Sequence, residues 1–312
     1  MPTIKNSWRS LYITYLKNMD IESLDNITNY HQQFITKKFF HTQLYEILGR
    51  EHNIDFAKYC ISNFYDQIDI NYHIIYDMTL LESYIEFHEG HNDICKLFLT
   101  TFTNISETVL YKLLSFLIGR KNIELIYFIL NLYPDIFITT QLFNESLYVN
   151  DIEFINEIAK LCSEELLICY DDLSRISNDG IEYIIYNDVY IDDINNFFNI
   201  ISCSYRIKAD TLLLVINKYN NIDIHYDNEK ILKNILWTHG LYLTLNFFLE
   251  NFNDFDIDEI YDYIKNNYIS YNYIISLSEN IEPLHILFKN NITIFNNRLD
   301  YYRLFDYYNT SK

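Results

Sequence analysis

A ten-residue phrase recurs along this chain at nearly regular intervals. It reads His52-Asn53-Ile54-Asp55-Phe56-Ala57-Lys58-Tyr59-Cys60-Ile61, then Gly90-His91-Asn92-Asp93-Ile94-Cys95-Lys96-Leu97-Phe98-Leu99. It returns as Lys121-Asn122-Ile123-Glu124-Leu125-Ile126-Tyr127-Phe128-Ile129-Leu130 and as Glu279-Asn280-Ile281-Glu282-Pro283-Leu284-His285-Ile286-Leu287-Phe288. A unit that repeats at a fixed period cannot bury its apolar face alone, so it folds by stacking on its neighbours.

Aligned on the Ile of Ile54-Asp55, the copies begin at Ile21, Ile54, Asn92, Ile123, Ile152, Ile181, Ala209, Tyr242 and Ile281, spaced 28 to 39 residues apart. Each begins an amphipathic helix, because offsets 0, +3, +6 and +7 share one helical face. Those offsets are apolar in every copy except at Thr28, Asn92, Asn187 and Asp188. A second apolar segment precedes each start, as in Leu80 to Phe87 and Val109 to Ile118. The unit therefore reads as helix, tight turn, helix, longer connector. Gly49, Gly90, Gly119, Gly180 and Gly240 fall just before the starts, where glycine is expected to supply a left-handed turn. Acidic residues follow the starts at Glu22, Asp55, Asp93, Glu124, Glu153, Glu182, Asp210 and Glu282, beside the positive end of the helix dipole. The pattern is weakest over 162–205. Ile194, Phe197, Ile200 and Ile201 form an alternative face there, and we read Ile194 to Ile201 as the first helix of the next unit because this keeps the spacing.

The chain resembles ankyrin repeats, in the divergent Ile/Asn/Tyr-rich style of large DNA viruses of amoebae. The resemblance rests on Gly90-His91-Asn92-Asp93, on Phe56-Ala57-Lys58-Tyr59-Cys60-Ile61, and on the connectors Ile68-Asp69-Ile70-Asn71, Ile222-Asp223-Ile224-His225 and Phe255-Asp256-Ile257-Asp258. It implies an all-α, ankyrin-like solenoid of about nine stacked helix-turn-helix units: a capping helix at 1–17, an array at 18–296 and a second capping helix at 297–312. The family's Thr-Pro-Leu-His opening is absent, so regular hairpin fingers are not expected in most units. Tetratricopeptide and HEAT-like pairs rank behind, the first for lack of its Trp and late Pro signature, the second because the period is short.

Composition narrows the function. The formal net charge is −20, and no run of more than two Lys or Arg occurs, which argues against nucleic-acid and anionic-membrane surfaces; the acidic excess either steers a basic partner or simply keeps an apolar-rich array soluble. The 30 Tyr and 22 Phe fit an AT-rich genome before they fit an aromatic binding surface. No apolar stretch is long enough to span a bilayer, and Met1 to Trp8 lacks a signal layout. Five cysteines without a Cys-x-x-Cys pair suit a reducing compartment, so a cytoplasmic location is expected, in the host cytosol if the protein is viral.

Candidate chemistry is sparse. His88-Glu89-Gly90-His91 with Cys95 has metal-like spacing, but the His falls at the turn and Cys95 on the apolar face. Asp254, Asp256 and Asp258 open like a calcium loop, but Glu259 and Lys265 stand where Gly and Glu are required. His52 and Cys60 are over two helical turns apart. Glu164-Glu165, Asp171-Asp172 and Asp192-Asp193 read as solvated faces or helix starts. We therefore expect no catalytic, cofactor or metal residues. The chain reads as a monomeric, non-catalytic scaffold that binds a protein through exposed residues of the first helices and connectors. A structural or virion component is the alternative, and an enzyme with a site assembled from His88, Glu89 and His91 ranks below it.

Overall fold

The structure is a computed structural model. It describes residues 7–231 except 32–34, 76, 88–90, 169, 205, 220, 224 and 227–229. The units starting at Tyr242 and Ile281, the Asp254 to Asp258 segment and the 297–312 capping helix lie outside the described residues.

The described chain is mostly helical, as expected. It divides into two compact units, Met1–Ile138 and Thr139–Lys312. The N-terminal unit contains α1 (Ser7–Lys17), α2 (Ile21–His31), α3 (Lys37–Glu51), α4 (Ile54–Phe64), α5 (Leu80–Phe87), α6 (Asn92–Thr101), α7 (Glu107–Gly119) and α8 (Ile123–Leu132). Helix α1 pairs with α2, α5 with α6 and α7 with α8, while α3, α5 and α7 pack side by side, as do α4, α6 and α8. The connector before α5 holds a small antiparallel hairpin, β1 (His73–Ile75) with β2 (Met78–Thr79). The C-terminal unit contains α9 (Thr140–Ser146), α10 (Ile152–Leu161), a 3-10 segment Tyr170–Arg175, α11 (Asn178–Tyr186), α12 (Ile194–Ser202) and α13 (Ala209–Lys218). Here α10 packs on α11 and α11 on α13, while the 3-10 segment packs on α12.

Helix starts follow the chemistry of the phrase. Helices begin at Ile21, Ile54, Asn92, Ile123, Ile152 and Ala209, as the spacing requires. Only α11 departs, starting three residues before Ile181. The Asn of the phrase is the cap: Asn53 accepts from the Asp55 and Phe56 amides, and Asn122 from Leu125. Asp151 caps α10 and Asp193 caps α12 in the same way. The preceding helices use hydroxyls, with Thr36, Ser106 and Thr139 capping α3, α7 and α9. Thr79 and Glu82 form a reciprocal capping box at α5. Each cap satisfies an amide that the helix itself leaves open.

The glycine expectation is wrong at every described position. Gly49 lies inside α3, Gly119 ends α7 in helical conformation, and Gly180 lies in the first turn of α11. The left-handed residues among those described are instead Met19, His52, Lys121 and Asp188, at the turns after α1, α3, α7 and α11, and Asp77 between β1 and β2. At Lys121 the bonds are those of a Schellman turn, with the Lys121 amide on Ile118 O and the Asn122 amide on Leu117 O. Gly180 is required for another reason. A Cβ there would run into the Leu147 carbonyl, against which the α11 start is packed.

The core follows the helical stripe. In α7, Val109, Leu110, Leu113, Leu114, Leu117 and Ile118 are all buried. In the C-terminal unit Phe143, Ile155, Ile181, Ile184, Phe197, Phe198, Leu212 and Val215 form one cluster. Among the described residues no helix is long and apolar enough to cross a membrane.

Candidate functional site

Many polar side chains hold the frame, including ones to which the sequence drew no attention. His41 is the clearest case. Its Nε2 accepts the Asp69 amide at 2.9 Å, so the ring proton sits on Nδ1, which donates to Lys37 O at 2.8 Å. Burial holds its pKa below the ordinary value. Asn144 acts similarly in α9, donating to Thr140 O and to Leu167 O in the following connector. Asn195 in α12 accepts the Asp223 amide. Each such tie fastens a first helix to the connector that follows its pair.

Successive turns are tied as well. Asn122 donates to Asn92 Oδ1 at 2.7 Å, and Asn92 donates to Glu124, which also pairs with Lys96. These partners hold the Glu124 carboxyl below its usual pKa. Ser177 donates to Leu147 O and Val149 O, and Asn178 donates to Arg206 O while accepting the Lys208 amide. Connectors join too: Asn71 donates to Asn104 O and accepts the Ser106 amide.

Of the candidate groups named from sequence, those among the described residues do not converge on a common site. His88 and Glu89 lie outside the described residues. His91 stacks on His52 at 3.7 Å between ring centroids, and His52 Nδ1 lies 3.3 Å from the Tyr84 hydroxyl. Cys95 is buried, and burial pushes its thiol up to about 12. Cys60 is also buried and its thiol is pushed up further. Neither is a nucleophile at neutral pH. Among the described residues no group of three or more His, Cys, Asp or Glu is placed to hold a metal ion. Glu164 accepts the Thr140 amide, and Asp193 caps α12, so these acids serve the backbone.

Two surface depressions among the described residues are informative. The first, about 490 Å³, lies in the N-terminal unit between the turns preceding α6 and α8. Its walls carry both signs of charge, from Arg120, Lys121 and Glu124, beside His91, Asn92 and Asn122. The second, about 320 Å³, lies in the C-terminal unit between the connector preceding α12 and the one following α13. Tyr190, Ile191, Ile194 and Tyr219 line it with Asp188 and Asp192, and among the described residues no Lys or Arg is in its wall. Tyr190 is 57% exposed and Tyr186, which ends α11, is 68% exposed. The sequence hid this groove, because Tyr190 and Tyr219 come from different connectors in a chain where Tyr is common everywhere.

Charge is distributed unevenly in the same sense. Residues 1–138 hold 16 acidic and 11 basic side chains, whereas residues 139–312 hold 27 and 12. No protein-family model, curated protein or solved structure matches this chain.

Proposed function

We propose that this protein is a non-catalytic binding module built from ankyrin-like stacked helix pairs, and that its partner is a basic protein. The observation that carries the reading is side-chain bonding between neighbouring pairs at a near-constant offset in three places. Asn92 and Asn122 are 30 residues apart, Ser177 and Leu147 are 30 apart, and Asn178 and Arg206 are 28 apart. Polar groups placed this way serve stacking rather than chemistry, and stacked pairs present an extended surface suited to a macromolecule. The net charge of −20 favours a partner of opposite sign. The Ile/Asn/Tyr-rich style extends the reading to a viral, host-directed adaptor acting in the host cytosol.

The test is an affinity pull-down from the native host cell, followed by titration of the purified candidate partner against the full chain. Saturable one-to-one binding that weakens about tenfold or more from low to high salt is expected, since screening weakens contacts between exposed charges. A failure to find any saturable protein partner contradicts the proposal.

A further inference from the structure

We infer that the tyrosine-lined groove between the connectors flanking α12 and α13 is the docking point for one Lys or Arg side chain of an extended basic segment. The inference rests on the protein-binding reading above and names the partner chemistry at one place.

Apolar and acidic side chains line the groove together. Ile191, Ile194 and the rings of Tyr190 and Tyr219 supply the apolar lining. Of the two carboxylates, Asp188 is already matched within the chain, because Lys218 Nζ lies 2.5 Å away. That contact also raises the Lys218 pKa. Asp192 is different. It accepts the Tyr190 hydroxyl at 3.3 Å and meets no cation among the described residues. Among the described residues, one negative charge beside an exposed aromatic ring is thus unmatched. A long cationic side chain matches both parts. Its methylenes pack on ring and isoleucine while its head reaches the carboxylate, and a cation over a tyrosine face is attracted by the ring itself.

The groove is preformed. Tyr190 is pinned by a parallel backbone bridge to Leu167, its other neighbour connector. Lys218–Asp188 spans one side of the groove, and Asn195 holds Asp223 on the other. Little ordering is left for binding to impose, which favours affinity from a small contact. A phosphate or nucleic-acid occupant is disfavoured by the same charges. The depression in the N-terminal unit lacks this match, since Arg120 and Lys121 stand in its wall.

The experiment titrates the full chain with nona-arginine and with its neutral citrulline analogue. Tyr190→Ala, Tyr190→Phe and Asp192→Lys are compared with Tyr127→Ala, which alters an exposed ring of α8. The expected result is loss of about tenfold in affinity for Tyr190→Ala and a larger loss for Asp192→Lys, with Tyr190→Phe and Tyr127→Ala near wild type. Equal affinity in Tyr190→Ala and wild type would show diffuse attraction to an acidic chain and would overturn the inference. The same variants are then titrated with the purified pull-down partner. A partner that binds Asp192→Lys as tightly as wild type refutes the groove and leaves the binding-module reading intact, whereas absence of any partner refutes that reading itself.

Discussion

In the N-terminal unit, the polar groups around the depression answer one another. Asn92, Asn122, Glu124 and Lys96 form a closed set, and His52 stacks on His91. In the C-terminal unit, Asp192 accepts the Tyr190 hydroxyl and meets no cation among the described residues, and the surrounding sequence is far more acidic. Both units are made of paired helices with side-chain caps, so the difference lies in what the turns and connectors leave unmatched. Stability and recognition draw on the same residue types. What separates them is whether a neighbour 30 residues away supplies the partner.

The glycines give the sharpest way to break this comparison. Gly180→Ala in the C-terminal unit pushes a methyl group into the Leu147 carbonyl and is expected to cost about 3 kcal/mol or more. Gly119→Ala in the N-terminal unit meets nothing within 4 Å of the added Cβ and is expected to stabilise by about 0.5–1 kcal/mol through helix propensity. Urea unfolding of the two variants checks both signs.

Next in size is His41. Its replacement by Ala leaves the half-buried Asp69 amide without an acceptor, at a cost of about 1–2 kcal/mol. His41→Gln, which cannot titrate, sharpens the point through pH. Burial depresses the folded-state pKa, so the unfolded chain binds the proton more readily. The stabilisation is therefore full above the ordinary imidazole range and is lost as pH falls through it toward the depressed value. His91, depressed by burial and by His52, acts in the same direction. The urea midpoint of the wild type is expected to fall from about pH 7 to about pH 5, with a shallower slope in His41→Gln. A steeper slope in the variant would show that another group sets the dependence.

The hydroxyl cap of α11 comes third. Ser177→Ala removes the acceptor for the Gly180 amide and the donor to Leu147 and Val149, and should cost about 1–2 kcal/mol. Smallest is Lys121→Gly, which relieves a left-handed residue and should raise stability by about 0.5–1 kcal/mol. Thermal melts resolve both, and a destabilised Lys121→Gly would mean that the lysine side chain matters more than its backbone.

Much of the fold was readable in the sequence because helix caps and apolar stripes are local. The Asn-Ile pair in Asn53-Ile54 and Asn122-Ile123 marks a cap and the first helical residue, and the acids after it meet the helix dipole. The reading of 194–201 as the first helix of a pair agrees with α12 and with its Asn195 tie to the connector after α13. The left-handed turns were misplaced because glycine was used as their marker, whereas His52 and Lys121 adopt that backbone two or three residues later. Ile181 failed as a helix start because Ser177 caps α11 earlier, and the first-turn acid there is Asp179, not Glu182. The groove was not readable at all. Its walls come from separate connectors, and whether Asp192 meets a cation is a matter of three-dimensional placement.

Amide hydrogen exchange of the full chain, with and without a bound basic partner, tests the division between frame and groove most directly. Slowed exchange on binding across 187–193 and 219–223, with little change across 91–125, is the predicted result. Protection confined to 91–125, with the C-terminal connectors unchanged, would contradict it.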